Sequence, residues 1–219
     1  MRIKKYITVL FVLLSYQAFS QNDEAEKILE QLSKTMASYK CLYFEYTLKI
    51  EDVQLNTSEM KDGKALVKGK KFRISTKDTD LYNDGITQWQ YLKQQNEVIV
   101  SLSDSTSDDV MANPIGFITG DRREFKQKLK GEVNEDGILL TEIDFYPRDI
   151  KMPYSYIRVR INEQKQQPYS IKYMGKDGVN YTIKIKSYTP NIEMPEDEEF
   201  VFEDSKYPGI ETVDLREPQ

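Results

Sequence analysis

Apolar residues near the start of the chain recur at the spacing of one face of an α-helix. Between residues 22 and 40 the intervening positions are charged or polar, so this segment is amphipathic. Asn22 or Asp23 is placed to cap the first turn. The pattern predicts one helix over residues 22–40, with an apolar face made of Ala25, Ile28, Leu29, Leu32 and Met36.

After Tyr39 the period of the pattern changes to two, which is typical of strands with one apolar face. The first run is YFEYTLKI, and the same alternation recurs in KFRIS, TQWQYLK, EVIVSL, SYIRVRIN, YSIKYMG and YTIKIKS. Asp-Gly pairs at 62–63, 84–85, 136–137 and 177–178 are strong candidates for hairpin turns. These features predict a mainly β fold of about ten to eleven consecutive antiparallel strands.

One segment departs from this alternation. SDSTSDDVMANPIGFITGDRREF is polar, then apolar around a proline, then charged. Because proline interrupts a helix, the segment predicts a short helix over residues 105–112 and a second helical piece over residues 115–119. Its apolar members are Val110, Met111, Ile115, Phe117 and Ile118.

A sheet of this kind must cover its apolar face, and the two helical segments are the cover that the pattern supplies. If the sheet curls, they leave an apolar hollow. The hollow is either filled as ordinary core or holds a ligand such as a lipid, and the pattern favours neither outcome. It also does not separate an open sheet from a closed barrel or a sandwich, because these share the same periodicity.

The first twenty residues have the layout of a secretory signal peptide. Three basic residues precede an apolar run of about eight residues, far shorter than the roughly 20 needed to span a bilayer. Small residues follow at the positions that a signal peptidase reads, so cleavage is expected after Ser20. No cysteine stands at that site to carry a lipid. Residues 21–219 are therefore predicted to form one soluble domain outside the cytoplasm, without a lipid anchor.

Charge and composition narrow the function classes. Residues 1–20 hold three basic residues and no acidic ones, so their removal takes the net charge from −5 to −8. This acidic balance argues against nucleic acid as a partner. The chain has no histidine, the commonest general base and metal ligand, and no nucleophile elbow, phosphate loop or CxxC motif. We therefore expect no catalytic residues, no metal and no cofactor, and a hydrolase is the least favoured function.

Two further features favour structural roles. The single cysteine, Cys41, stands beside Leu42, Tyr43 and Phe44, so a small buried hydrophobe is favoured over a reactive thiol. The acidic runs at 108–109 and 196–199 lie in polar, turn-like surroundings. Solvated surface is favoured there over acid–base catalysis.

The order of these elements resembles a known family. The helix and first strand read AEKILEQLSKTMASYKCLYFEYT, followed by GKALVKGKKFRI and NDGITQWQYLKQQNEVIV. NPIGFI and FVFEDSKYPGIETVDLR complete the series. In this order and spacing, the chain resembles the periplasmic outer-membrane lipoprotein carriers, the LolA-like family, in the form found in Bacteroidetes-type sequences. The resemblance spans essentially all of residues 21–219.

This resemblance implies an incomplete β-barrel with a helical lid over a hydrophobic cavity. It implies a periplasmic carrier that takes acylated lipoproteins from an inner-membrane ABC transporter and delivers them to an acceptor at the outer membrane. A monomer is expected. The receptor of the same superfamily, LolB, is lipid-anchored, and the missing cysteine therefore favours the carrier.

The sequence departs from the family at one position. The better-known proteobacterial carriers have an arginine after the second strand that bonds to the lid, and this place falls on Gly69, between Lys68 and Lys70. A lysine lacks the planar fork of arginine, so the family's way of holding the lid closed is not carried over to this chain.

Two sets of residues follow as candidates, and for each residue ordinary core packing is equally compatible with the pattern. The acyl-chain cavity is expected to be lined by Phe44, Tyr46, Leu48, Phe72, Ile74, Trp89, Tyr91, Ile157, Val159, Ile171 and Tyr173. The lid is expected to contain Ile28, Leu32, Met36, Met111, Ile115 and Phe117. Two more functions stay open at this point. One is a carrier of a different amphiphile, such as a glycolipid or pigment precursor, and the second is an interaction module with a filled core.

Overall fold

The computed structural model describes residues 23–103 and 122–216 as one long β-sheet with a helix packed against one side. Helix α1 covers residues 23–37. The strands are β1 (Leu42–Asp52), β2 (Thr57–Lys68), β3 (Lys71–Thr76), β4 (Thr79–Asn83), β5 (Thr87–Leu92), β6 (Glu97–Leu102), β7 (Phe125–Glu135), β8 (Ile138–Pro147), β9 (Tyr154–Asn162), β10 (Gln167–Gly175), β11 (Val179–Pro190) and β12 (Glu211–Asp214).

The spatial order of the strands is β12-β6-β5-β4-β3-β2-β1-β11-β10-β9-β8-β7. All neighbours are antiparallel except β12, which lies parallel to β6. The sheet does not close, because β12 and β7 are its two edges. The prediction of a mainly β, unclosed architecture with an N-terminal helix is confirmed, and the described part has twelve strands rather than ten or eleven. The predicted signal peptide and the predicted helices of residues 105–119 lie outside the described residues.

The apolar side of α1 packs on one face of the sheet, which we call the inner face. Ala25, Leu29 and Leu32 are fully buried there. On the sheet side, strand register brings Phe44 next to Ala65, and Ala65 next to Ile74. The inner face continues through β11, β10, β9 and β8, where Ile171 pairs with Val159 and Val159 with Ile143. Burying large apolar side chains from both partners makes this cluster the main core.

A second apolar cluster lies on the opposite side of the sheet, which we call the outer face. It joins Tyr82, Tyr91, Val98 and Val100 to Phe202 from the C-terminal segment, residues 191–216. The ring centroid of Phe202 lies 5.6 Å from that of Tyr82 and 5.4 Å from that of Tyr91. The C-terminal segment therefore covers the outer face of β4–β6, as α1 covers the inner face elsewhere.

This arrangement corrects the placement of two cavity candidates. Phe72 lies on the inner face and pairs with Asn83, which therefore lies on the inner face as well. Adjacent residues of a strand point to opposite faces, so Tyr82 points to the outer face. Tyr82 pairs with Trp89, and Tyr91 lies two residues further along the same strand. Trp89 and Tyr91 thus lie on the face opposite Phe72, against the C-terminal segment, and their proposed acyl-binding role stays a prediction.

One Asp-Gly pair is also not a turn. Gly85, Gly137 and Gly178 have positive φ between strands, as the hairpin prediction requires, but Gly63 lies inside β2. There the ring of Tyr46 crosses the glycine from the neighbouring strand, and a Cβ on residue 63 would overlap it. Close side-chain approach, not a turn, therefore explains this glycine.

Ion pairs cover the outer face on the side of the sheet that the C-terminal segment does not reach. Arg158 binds Asp144 through two hydrogen bonds of 2.7 and 2.9 Å, and Arg160 binds Glu142 at 3.0 Å. The bonds to Asp144 raise the pKa of Arg158 above its usual value. Lys184 continues the series with Glu135 at 2.8 Å. The two outer regions are thus covered in different ways, one by charge and one by apolar packing.

Candidate apolar site on the inner face

The candidate site is the inner face between β3 and β9. Strand register places nine of the eleven proposed cavity residues on it. They are Phe44, Tyr46, Leu48, Phe72, Ile74, Ile157, Val159, Ile171 and Tyr173. Their acyl-binding role stays a prediction, because common placement on a face does not separate a ligand site from a core.

Burial divides these nine residues into six that are buried and three that are partly buried. Ile157 and Val159 are completely buried and Ile171 is 3% exposed, so they belong to the packed interior near α1. Leu48, Ile74 and Tyr173 are only partly buried at the margin of the same cluster. The partly buried group has the accessibility that a ligand-contacting surface requires, and the fully buried group acts as its support.

The margin of the inner face also contains residues that were not among the predicted cavity residues. Val67, Ile185 and Tyr188 are partly buried against the main core. Ile185 follows the alternation of its strand, so the pattern contained that signal. Tyr188 departs from this alternation because the strand register shifts between Glu45 and Tyr46. As a result Tyr46 pairs with Ile185, and Phe44 pairs with Tyr188. Such a bulge breaks the period of two, and alternation alone does not reveal it.

Two tyrosines give this apolar surface polar atoms. Burial raises the pKa of Tyr46 to about 12 and also raises the pKa of Tyr188. Within the described residues the Tyr188 hydroxyl is buried and has no hydrogen-bond partner. A buried donor without a partner costs free energy.

The lid candidates fall into two groups. Ile28, Leu32 and Met36 lie on α1 and pack in the main cluster, with Leu32 fully buried and Met36 only 6% exposed. Their position over the inner face agrees with a cover. Met111, Ile115 and Phe117 lie outside the described residues, and their role in a lid stays a prediction.

The lysine beside the family's arginine position has a different role here. Lys68 Nζ donates to the carbonyl of Pro195 at 2.9 Å and to Asp197 at 2.8 Å. Lys71 contacts the same carboxylate at 2.8 Å, and Arg73 pairs with Glu199 at 2.9 Å. These cations hold the C-terminal segment to the outer face. The acidic run at 196–199, expected to be solvated surface, is therefore partly an anchoring element.

A separate cleft of about 420 Å³ lies between β1, β2 and β3. It is lined mainly by charged and hydroxyl side chains, including Glu45, Asp62, Lys64 and Lys186. Two of these cations are already paired, Lys64 with Glu45 and Lys186 with Asp62. This cleft does not have the apolar lining that an acyl chain needs.

The described chain has one cysteine, and it is buried. Cys41 is buried, as expected, and its Sγ lies 3.2 Å from the carbonyl oxygen of Ile192. Within residues 23–103 and 122–216, no cluster of three or more potential ligands could hold a metal ion. The same ranges contain no helix long and apolar enough to cross a membrane.

Comparison with known proteins identifies the family. Residues 17–134 match the family model described as outer membrane lipoprotein carrier protein LolA. The chain belongs to this family. None of the curated proteins gives a significant match.

Solved structures include one whose fold is clearly alike. An uncharacterised conserved protein from Thermus thermophilus superposes with a TM-score of 0.58 at 12% identity, covering 87% of this chain and 99% of that protein. At this identity the likeness concerns the fold alone. A LolA superfamily protein from Nitrosomonas europaea gives 0.43 at 13% identity, covering 81% and 97%. LprF from Mycobacterium bovis gives 0.46 at 11% identity, covering 80% and 97%.

Proposed function

We propose that this LolA-family protein is a periplasmic carrier that binds the acyl chains of lipoproteins on its inner face and moves them from the inner to the outer membrane. The observation that carries the proposal is the partly buried apolar margin of the inner face, at Leu48, Ile74 and Tyr173, in a sheet that does not close. An open sheet allows a long chain to enter without passing through a closed wall.

The free energy of burying an acyl chain explains why such a carrier needs an apolar surface. Burying one CH₂ group contributes about 0.8 kcal/mol, so one 16-carbon chain contributes roughly 12 kcal/mol. A carrier must shield much of this surface and still release it. A margin of half-buried side chains next to a rigid core suits reversible binding better than a tightly enclosed cavity.

The proposed partners follow from this role. Cargo is received from an inner-membrane lipoprotein-releasing ABC transporter and passed to an outer-membrane acceptor, which is either a protein or the membrane itself. The carrier acts as a monomer without catalytic chemistry. A related amphiphile, such as a glycolipid or a pigment precursor, would use the same apolar surface.

Two measurements test the proposal. Protein extracted gently from its own periplasm should carry a lipid or acylated peptide in native mass spectrometry. The purified protein should also keep an acylated lipoprotein in solution, but should not bind the same lipoprotein with its acylated cysteine replaced. Absence of any bound acyl species together with failure to hold the acylated form would refute the carrier role.

A pair of substitutions tests the inner face itself. Ile74→Asn changes a partly buried residue of the inner face, whereas Leu66→Asn changes a partly buried residue that register places on the outer face of the adjacent strand. We expect the Ile74 variant to lose most of its acyl-lipoprotein retention and the Leu66 variant to keep it. Circular dichroism establishes that both are folded. Equal retention by the two variants would contradict the assignment of the inner face.

A further inference from the structure

Three hairpin turns at one end of the sheet are joined by hydrogen bonds. They are the β1–β2 turn (residues 53–56), the β8–β9 turn (148–153) and the β10–β11 turn (176–178), and we call them the turn platform. The amide of Val53 donates to the carbonyl of Gly178 at 3.0 Å, and that of Lys176 donates to the carbonyl of Pro153 at 2.9 Å. Gln54 Nε2 adds a bond of 2.9 Å to the carbonyl of Asp177.

The turn platform presents large apolar side chains to solvent. Val53 is 64% exposed, Leu55 is 72% exposed and Ile150 is 84% exposed. These exposures are high for residues that prefer the interior, and the three side chains are held at one end of the molecule by linked turns. They belong to turns that are hydrogen-bonded to one another, so they can enter the headgroup layer from one end of the molecule.

The three turns hold three basic residues, Arg148, Lys151 and Lys176, and two acidic ones, Asp149 and Asp177. Asp52 accepts from the amides of Gln54 and Leu55, both at 2.9 Å, and Asp149 accepts from the amide of Lys151 at 2.8 Å. These carboxylates are thus bonded within their own turns. Lys151 and Lys176 are exposed, and Lys176 Nζ donates to the carbonyl of Ile150, which holds its charge beside that apolar side chain. No ion pair within the described residues involves either lysine.

Basic residues at the start of β7 extend this positive region. Residues 122–130, which lead into β7 beside the β8–β9 turn, contain five basic residues and one acidic residue in a chain with a net charge of −5. Lys126 and Lys128 are exposed, and Arg148 Nε donates to the carbonyl of Arg123 at 2.8 Å, which joins this region to the turn platform. Basic residues next to apolar tips are the combination that binds anionic lipid headgroups.

From these observations we infer that the turn platform is a membrane-docking surface, which inserts Val53, Leu55 and Ile150 among the headgroups of an anionic phospholipid bilayer while Lys151 and Lys176 bind phosphate. Docking is weak and reversible, because only three side chains insert. Hydrogen bonds between the turns keep these tips in place, so insertion requires little ordering of the chain. Docking does not depend on the proposed cargo, since the turn platform is distinct from the inner face.

Vesicle sedimentation tests the docking surface. The protein of residues 21–219 should bind vesicles of phosphatidylethanolamine and phosphatidylglycerol more strongly than vesicles of phosphatidylcholine. The triple variant V53S/L55S/I150S should bind the anionic vesicles roughly tenfold more weakly. The double variant I86S/L139S is the matched control, because Ile86 and Leu139 are 73% and 51% exposed at the opposite end of the sheet. It should bind like the wild type.

Fluorescence gives a local readout that does not depend on the triple variant. With Trp89→Phe as background, Leu55→Trp places the single tryptophan on the turn platform and Ile86→Trp places it at the opposite end. Anionic vesicles should shift the emission of the first protein to shorter wavelength and leave the second unchanged. Docking is refuted if the wild type does not bind these vesicles, if the triple variant binds as the wild type does, or if neither tryptophan responds.

Discussion

The two sides of the sheet bury their apolar residues on opposite faces. From β1 through β11, β10, β9 and β8, large apolar side chains point inward to α1, while Arg158 and Asp144 form part of an ion-pair layer outside. In β4–β6 the arrangement is reversed. Tyr82, Tyr91 and Val98 point outward under the C-terminal segment, and the inner face of β5 carries glutamines.

This difference shows that, among the residues the structure describes, two separate segments cover the sheet. Helix α1 and the inner face form a core with apolar side chains contributed by both partners. The C-terminal segment covers the outer face with a few aromatic residues, among which Phe202 and Tyr207 stack at 4.8 Å. Its ends are fixed by ion pairs to β2 and β3 and by the parallel pairing of β12 with β6. Helix α1 is thus part of the main core, whereas the C-terminal segment is bound to the outer surface of the sheet.

The largest expected effect is on the main core. Phe44→Ala should lower the free energy of unfolding by about 3–5 kcal/mol, because Phe44 is 2% exposed and its removal leaves a cavity between α1 and the sheet. Urea unfolding followed by circular dichroism measures this loss. A change below about 1 kcal/mol would mean that α1 is not packed on Phe44 as the structure describes.

Phe202→Ala should have a smaller and more local effect. We expect a loss of about 3 kcal/mol, at the lower end for such a substitution, because the C-terminal segment can adjust at the surface. Hydrogen exchange should show reduced protection in β5, β6 and β12, with β9 and β10 unaffected. Phe44→Ala is the comparison, since it should reduce protection in β1 and β11. Uniform loss of protection in both variants would contradict the idea of two separate covers.

Gly63→Ala tests the close contact between β1 and β2. The new methyl group would overlap the Tyr46 ring, so we expect a loss of about 1–3 kcal/mol. Tyr46→Val removes the ring, and the double variant should then be less destabilised than the sum of the single ones. A double-mutant cycle measured by urea unfolding checks this coupling. Strict additivity would exclude the ring as the reason for glycine at this position.

The smallest effect concerns the anchoring charges. Hydrogen bonds from Lys68 and Lys71 lower the pKa of Asp197 to about 2. Because this pKa is depressed on folding, the carboxylate stabilises the folded state above about pH 4, the ordinary range of an aspartate, and the contribution is lost as the pH falls toward 2. Asp197→Asn should therefore lower the urea midpoint slightly at neutral pH, with a difference that shrinks in acid.

Glu198→Gln is the matched control for Asp197, because no ion pair within the described residues involves Glu198. Its urea midpoint should differ little from the wild type at either pH. If both variants shift the midpoint equally, the effect comes from the overall charge of the segment and not from the contacts of Asp197 with Lys68 and Lys71.

The local periodicity predicted much of this molecule correctly. The helix pattern over residues 22–40 corresponds to α1 at residues 23–37, and its five apolar residues face the sheet. The alternating runs KFRIS, EVIVSL and SYIRVRIN correspond to β3, β6 and β9. These predictions succeeded because side-chain direction within one element depends only on its own geometry.

The candidate site was harder to predict, for a physical reason that Trp89 and Tyr91 illustrate. The alternation of apolar and polar residues predicts that Trp89 and Tyr91 lie on the same side of β5. It does not predict whether that side belongs to the inner or the outer face of the sheet. Strand β4 (Thr79–Asn83), which has no clear alternation in the sequence, determines the register between β3 and β5. The bulge that brings Tyr188 to the inner face also cannot be predicted from the alternation of apolar and polar residues.

By itself, the sequence determined the class of fold, the helix, most strand faces within each strand and the resemblance to the lipoprotein carriers. Tertiary structure alone decided which apolar rows share a face, that the acidic run at 196–199 anchors the C-terminal segment, and that three turns meet at one end. The reason is that side-chain alternation is a local property, whereas strand register, bulges and contacts between turns depend on residues far apart in the chain.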